Sequence, residues 1–212
     1  YYKLHNMKYE TKTIDDSNGD YKIIDCSDKY DYEFRNKVKN LINIYEGDIN
    51  INYIPKRIHK EKEKTYLSAT WFKKKDKTSM KQKTILKNNM DNYFRNICKA
   101  KADDRLWTTY KDSYDDLKGR RYGKQFLSYT TRATNQYKHV KNMAFMLNIF
   151  MNPNEVNYFI NQNVEVNQEL LAISDMLQWI FRSAIRDGKE INVYIPSPRM
   201  RELLNKWFDY NL

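Results

Sequence analysis

Apolar residues in this chain gather in short runs separated by longer stretches of helical period. Runs at Tyr21–Cys26 (YKIIDC), Thr65–Phe72 (TYLSATWF), Phe126–Thr131 (FLSYTT) and Ile191–Pro196 (INVYIP) are rich in β-branched and aromatic residues, which predicts strands. A weaker run lies at Ile49–Ile54. Between them, apolar positions recur every three to four residues over Tyr30–Tyr45, Met80–Lys101, His139–Met151, Asn167–Asp187 and Arg199–Tyr210, which predicts helices. Strands alternating with helices predict an α/β fold, a parallel sheet with helices on its faces.

A chain of 212 residues with 41% hydrophobic and 15% aromatic residues can bury a core. Only five glycines and four prolines interrupt it, so boundaries must be sought in charge runs. Two stand out, Lys56–Lys64 (KRIHKEKEK) and Trp71–Lys83 (WFKKKDKTSMKQK), and either reads equally as solvated surface. The first suggests a division into an N-terminal α/β segment with a charged linker, residues 1–64, and a main domain, residues 65–212.

Thirty-eight Lys and Arg against 27 Asp and Glu leave a net charge of +11, which makes a polyanion such as nucleic acid the first partner to consider. The alternative is a charge that serves solubility alone. No apolar run reaches the roughly 18 to 20 residues of a membrane helix, and no signal peptide is legible, so no membrane partner and a cytoplasmic setting are expected. Cys26 and Cys98 lack CxxC spacing or nearby His, which suggests neither zinc nor a disulfide framework. Tyr1 in place of Met suggests a piece of something longer. The abundance of Lys, Asn, Ile and Tyr suggests AT-rich coding DNA of the kind found in some phages.

Candidate chemistry concentrates in two places. On a continuous helix, Gln178, Arg182 and Arg186 would share one face, opposite Ile173, Leu177, Ile180 and Ala184. Two guanidinium forks there suit phosphate oxygens, and Asp187-Gly188 would end the helix before the strand INVYIP. The other reading is a solvated amphipathic face. Upstream, Thr130, Thr131, Arg132, Thr134 and Asn135 follow an expected strand, at the end of a parallel sheet where ligands collect, and their hydroxyls and amides suit phosphates. They could equally cap the next helix. Basic residues beside aromatics, Lys73, Lys74 and Lys75 after Trp71 and Phe72, and Arg120 and Arg121 before Tyr122, could pair phosphates while the rings stack single-stranded bases.

The Gln-then-Arg segment followed by a strand resembles motif VI of superfamily 2 helicases, in their second RecA-like domain. Phe181 stands where that family has glycine, and the two arginines are four apart instead of three. Phe126–Pro153, containing RATNQY, is similar to a block upstream of the arginine helix in helicase-like proteins of phages and mobile elements. Together the likeness runs over about residues 90 to 208. It implies a RecA-like parallel sheet flanked by helices, with a partly separate N-terminal segment. It also implies that Gln178, Arg182 and Arg186 serve an ATP and Mg2+ site completed by a P-loop domain in the same longer chain. YKIIDCSD echoes a Walker B strand and Ser68-Ala69-Thr70 a motif III tripeptide, but Cys26 occupies the place of the catalytic glutamate, and both echoes are set aside.

The chain itself has no G-x-x-x-x-G-K-[ST] loop, so it is not expected to hydrolyse ATP alone. His5, His59 and His139 are scattered, and no metal set or catalytic triad is legible. Two functions remain: the nucleic-acid-binding C-terminal half of an ATP-dependent helicase, with single-stranded DNA favoured, or a non-enzymatic nucleic-acid-binding or assembly protein of a phage or mobile element.

Overall fold

The computed structural model describes residues 9–13, 21–25, 27–50, 65–131, 134–163 and 166–210. The chain divides into two compact units, residues 1–40 and 41–212. In the first, β1 (Tyr9–Thr13) pairs antiparallel with β2 (Tyr21–Asp25), Thr11 opposite Ile23, and α1 (Ser27–Leu41) follows. The YKIIDC strand therefore exists, but in a hairpin, whereas a Walker B strand belongs to a central parallel sheet; Cys26 lies outside the described residues.

The second unit is built on four parallel strands, β3 (Ile42–Ile44), β4 (Arg105–Thr108), β5 (Asn142–Phe145) and β6 (Ile191–Tyr194), in the spatial order β3-β6-β5-β4. A single parallel bridge between Trp107 and Phe126, with the Leu127 amide donating to the Trp107 carbonyl at 3.0 Å, extends the β4 edge. Side chains alternate across this sheet, as its period of two requires. Trp107, Ala144 and Tyr194 point into one layer, with Trp71, Phe72, Leu86, Met90, Phe94 and Tyr122. Their neighbour Phe145 points to the other, its ring 5.6 Å from that of Trp179.

The first layer is carried by α2 (Ala69–Lys73), α3 (Lys77–Asn92) and the single turn α4 (Tyr114–Leu117). The Asp76 carboxylate accepts from the Ser79 amide at 3.0 Å and caps α3. After the short α5 (Pro153–Asn161) come α6 (Gln168–Ile180) and α7 (Pro198–Phe208). They bury Ala172, Ile173, Met176 and Trp179, and Met200, Leu203, Leu204 and Phe208. Asn167 caps α6 and Ser197 caps α7, with Pro198 at the first helical position, where its missing N–H costs nothing. Among the described residues no helix is long and apolar enough to cross a membrane.

The parallel sheet flanked by helices is as expected from the alternation of runs, but several elements differ. Thr65–Phe72 forms a turn and the start of α2, because Ser68 caps a helix there, its Oγ accepting from the Trp71 amide at 3.2 Å. Phe126–Thr131 contributes only the bridge at Phe126 and then turns. His139–Met151 is not helical: Asn142–Phe145 is strand β5, buried on both faces, where a continuous apolar run carries no alternation to mark it. Asp48–Asn50 is one 3-10 turn, and Ile51–Ile54 lies outside the described residues. The expected boundary at residue 64 does not coincide with the division after Asn40, because Ile42–Ile44 hydrogen-bonds into the sheet beside β6.

Trp179 has no exposed surface and donates its indole N–H to the Leu127 carbonyl at 3.0 Å. Trp179→Ala should cost about 3–5 kcal/mol in urea unfolding, whereas Tyr158→Ala on α5, where the ring is 62% exposed, should stay within about 0.5 kcal/mol. Equal costs would mean that α6 does not seal the Phe145 face.

Candidate functional site

The chain leaves β4 through Leu117 and Tyr122, which pack in the layer that covers Trp107. It leaves β5 toward α6, on the opposite face, where Trp179 meets Phe145. Connections that part to opposite faces of neighbouring parallel strands open a crevice beyond the carboxyl ends, where open parallel sheets place their ligands. A cavity of about 750 Å³ lies there, lined by Tyr110 just past β4, by Phe150 and Asn152 past β5, and by Thr65, Ser68, Lys73 and Lys74 from the α2 segment.

Asn148 organises the wall of this cavity. It is fully buried; its Nδ2 donates to the Tyr66 carbonyl at 2.9 Å and its amide to the Leu67 carbonyl at 3.0 Å. Its carbonyl accepts from the Tyr110 hydroxyl at 2.8 Å, and its Oδ1 accepts from Arg199 at 3.0 Å. Leu67 holds the left-handed region at φ 64°, a strained conformation for a residue with a branched side chain. The bond to Asn148 and complete burial of its side chain keep it there. Arg199 also donates to the Ile149 carbonyl at 2.8 Å, and its guanidinium lies 4.3 Å from the centre of the Phe150 ring.

Burial shifts two of these groups. The Tyr110 hydroxyl is pushed well above its ordinary value by burial first and by neighbouring Tyr129 second, so it remains a neutral donor. Burial lowers the Arg199 guanidinium, partly offset by Glu169, Tyr110 and Glu202. Lys73, Lys74 and Lys75 are exposed; the first two line the crevice, while Lys75 lines a separate hollow with Lys83 and Asp116.

The anticipated arginine face is not assembled. Helix α6 ends at Ile180, and the Ser183 hydroxyl donates to the Ile180 carbonyl at 2.7 Å as the chain turns. Gln178 is exposed on the helix and donates to Ser174 at 3.2 Å, Arg182 is folded inward to 9% exposure, and Arg186 stands exposed on a 3-10 turn closed by Gly188 at φ 71°. Arg186 donates to Asn135 Oδ1 at 2.5 Å, so the two segments singled out in the sequence do meet. They meet at the amino ends of the strands, where Ala184 donates to the Val140 carbonyl just before β5.

Thr130 and Thr131 lie apart from that pair, in a turn where Ser128 and Thr130 hydroxyls are 2.9 Å apart. The Thr134 hydroxyl accepts a 3.4 Å bond from the Gln136 amide, and Arg132 lies outside the described residues. Arg120 and Arg121 are exposed, with Arg121 3.4 Å from Asp91 and beside Arg105 at the start of β4, far along the strand from the crevice. Trp71, Phe72 and Tyr122 are buried, and of the three only Trp71 reaches the crevice, with 7% of its surface exposed. Asn148, Tyr110, Phe150 and Arg199 escaped the sequence reading. A lone Asn in the run MAFMLNIFM and the strand-Ser-Pro-Arg junction were the available signals. Among the described residues no group of His, Cys, Asp and Glu is placed to hold a metal ion.

The family model described as YonV C-terminal Rossmann-like domain matches residues 36–208. The SPbeta prophage-derived uncharacterized protein YonV of Bacillus subtilis (strain 168) is 38% identical over 210 residues, which cover 99% of this chain and 48% of that protein. The chain thus spans about half the length of the curated relative it matches. No solved structure matches. The chain belongs to the family of YonV C-terminal Rossmann-like domains, and its parallel sheet flanked by helices is of that Rossmann-like kind.

Removing the Asn148 side chain leaves the Tyr66 carbonyl and Arg199 each short of a buried partner. Asn148→Ala should therefore cost about 2–3 kcal/mol in denaturant unfolding, and a cost below about 0.5 kcal/mol would refute its organising role. The pH dependence has a definite sign. With its folded value raised, neutral Tyr110 contributes stability that is complete below about pH 10, the ordinary value of an unfolded tyrosine. That contribution falls away as pH climbs further, because the unfolded chain releases the proton first. Tyr110→Phe should show a smaller loss of stability between pH 8 and pH 11 than the parent chain.

Proposed function

We propose that this domain binds single-stranded nucleic acid at the carboxyl end of its sheet, as part of a longer protein that serves a phage or prophage. One observation carries the reading: a cavity of about 750 Å³ at the divergence of β4 and β5 that combines the exposed ammonium groups of Lys73 and Lys74 with the aromatic walls Tyr110 and Phe150. Phosphates need cations and bases need ring faces, and the two are within one site. The net charge of +11 favours approach of a polyanion. The prophage-derived name of the relative and its greater length support the setting.

Lys73→Glu combined with Lys74→Glu tests it by fluorescence anisotropy of a labelled single-stranded oligonucleotide across a salt series. The parent chain should bind with an affinity that falls steeply with salt, and the double variant should bind weakly with a slope shallower by about 1.4, the share of two phosphate contacts on a single strand. An unchanged slope would remove the two lysines from the footprint, and no binding by the parent at low salt would end the proposal.

A second reading, the half of an ATP-dependent helicase, is favoured by the exposed guanidinium of Arg186 held at Asn135. The chain lacks the phosphate loop that would seat ATP and Mg2+, so the nucleotide would be held by a P-loop domain elsewhere in the longer protein. In that protein, Arg186→Ala should lower ATP turnover about 10³-fold or more if the guanidinium acts on transition-state charge. Arg182→Ala should act instead through stability, because that residue is buried. Turnover that is absent from the parent, or indifferent to Arg186, would leave only the binding function.

A further inference from the structure

We infer that Phe150 is a prebuilt stacking platform and that the crevice takes one unstacked nucleobase of a single strand, with the adjoining phosphates on Lys73 and Lys74. The inference rests on the nucleic-acid reading above and names what the site recognises. Phe150 is one of the large apolar side chains left exposed, at 41%, and it lines the crevice wall. One face of its ring is covered by the Arg199 guanidinium at 4.3 Å. Arg199 is in turn fixed by the Asn148 Oδ1 at 3.0 Å and the Ile149 carbonyl at 2.8 Å, and it does not line the cavity.

The ring thus has a fixed guanidinium packed on one face, and Phe150 also borders the cavity. A ring held in this way loses little side-chain freedom when a flat ligand stacks on it, which is what makes a preorganised platform effective. Every base offers a flat face, so such a platform favours single strands over duplexes without choosing a sequence. The cavity, at about 750 Å³, has room for a base and its sugar-phosphate. Tyr110, whose hydroxyl donates to the Asn148 carbonyl at 2.8 Å, is a second aromatic side chain in the cavity lining.

The test uses the 212-residue chain, a labelled oligo-dT, the same oligomer made of abasic sugar-phosphates, and a matched duplex. The parent should bind oligo-dT about ten-fold more tightly than either the abasic strand or the duplex. Phe150→Leu, which keeps the apolar volume but removes the ring, and Phe150→Ala should each erase that preference and leave the salt slope unchanged. An abasic strand bound by the parent as tightly as oligo-dT, or a preference that survives Phe150→Leu, would overturn the platform while leaving the phosphate contacts intact. Failure of the parent chain to bind any of the three would overturn both the platform and the nucleic-acid reading. The parent's abasic comparison needs no variant, so a folding defect in either substitution does not blunt the test.

Discussion

Buried Asn148 ties together three segments of the chain that also meet in the aromatic core. Its donors reach the Tyr66 and Leu67 carbonyls, its acceptors take the Tyr110 hydroxyl and Arg199. A polar group with no access to water must find such partners or lose the free energy of a missing bond. Once it has found them, the turn before α2 is held in its strained form, the start of α7 is drawn in through Arg199, and the loop after β4 is anchored through Tyr110. These bonds fix the part of the crevice wall formed by the turn before α2 and by Tyr110. Phe150 follows two residues after Asn148, and Lys73 and Lys74 follow the turn that Asn148 anchors, so both halves of the proposed site take their positions from it.

How far the sequence disclosed this depends on which physical signal each element carries. Helices α6 and α7 announced themselves by periodicity and caps, and β6 by its β-branched run ahead of Ser-Pro. Strand β5 did not, because a strand covered on both faces loses the alternation that distinguishes it from a buried helix. TYLSATWF misled for a different reason. Its aromatic and β-branched content suits a strand, but Ser68 offers a cap to the Trp71 amide, and Leu67 accepts a left-handed backbone that the tertiary bond to Asn148 and its burial sustain. A long-range hydrogen bond of that kind leaves no local trace.

The arginine segment departs from the continuous helix that its spacing predicts. Gln178, Arg182 and Arg186 share a face only if the helix continues through all three. The Ser183 hydroxyl takes the Ile180 carbonyl and the chain tightens into a 3-10 turn, rotating Arg182 inward and Arg186 outward. The Thr-Asn loop was expected beside a strand end, and Asn135 does reach Arg186, but at the amino ends of the strands. Each segment carried its own signal, but their meeting, and the end of the sheet where it occurs, depend on the tertiary fold and left no trace in either.

Under the proposed nucleic-acid reading, both ends of the sheet offer cations to the polyanion that a charge of +11 invites, and they differ in what lies beside those cations. At the amino end, exposed Lys141 and Lys189 line a hollow at the starts of β5 and β6, while Arg121 is engaged with Asp91, Arg186 with Asn135 and Lys138 with Asp187. These are surface pairs whose strength is small, and salt weakens them along with any phosphate contact. At the carboxyl end the cations are two exposed lysines, and behind them lies a cavity with a clamped aromatic ring. Charge alone would draw a strand to either end. Only a site that also desolvates a base adds an attraction that salt does not screen, and that addition is what separates a binding crevice from a basic surface.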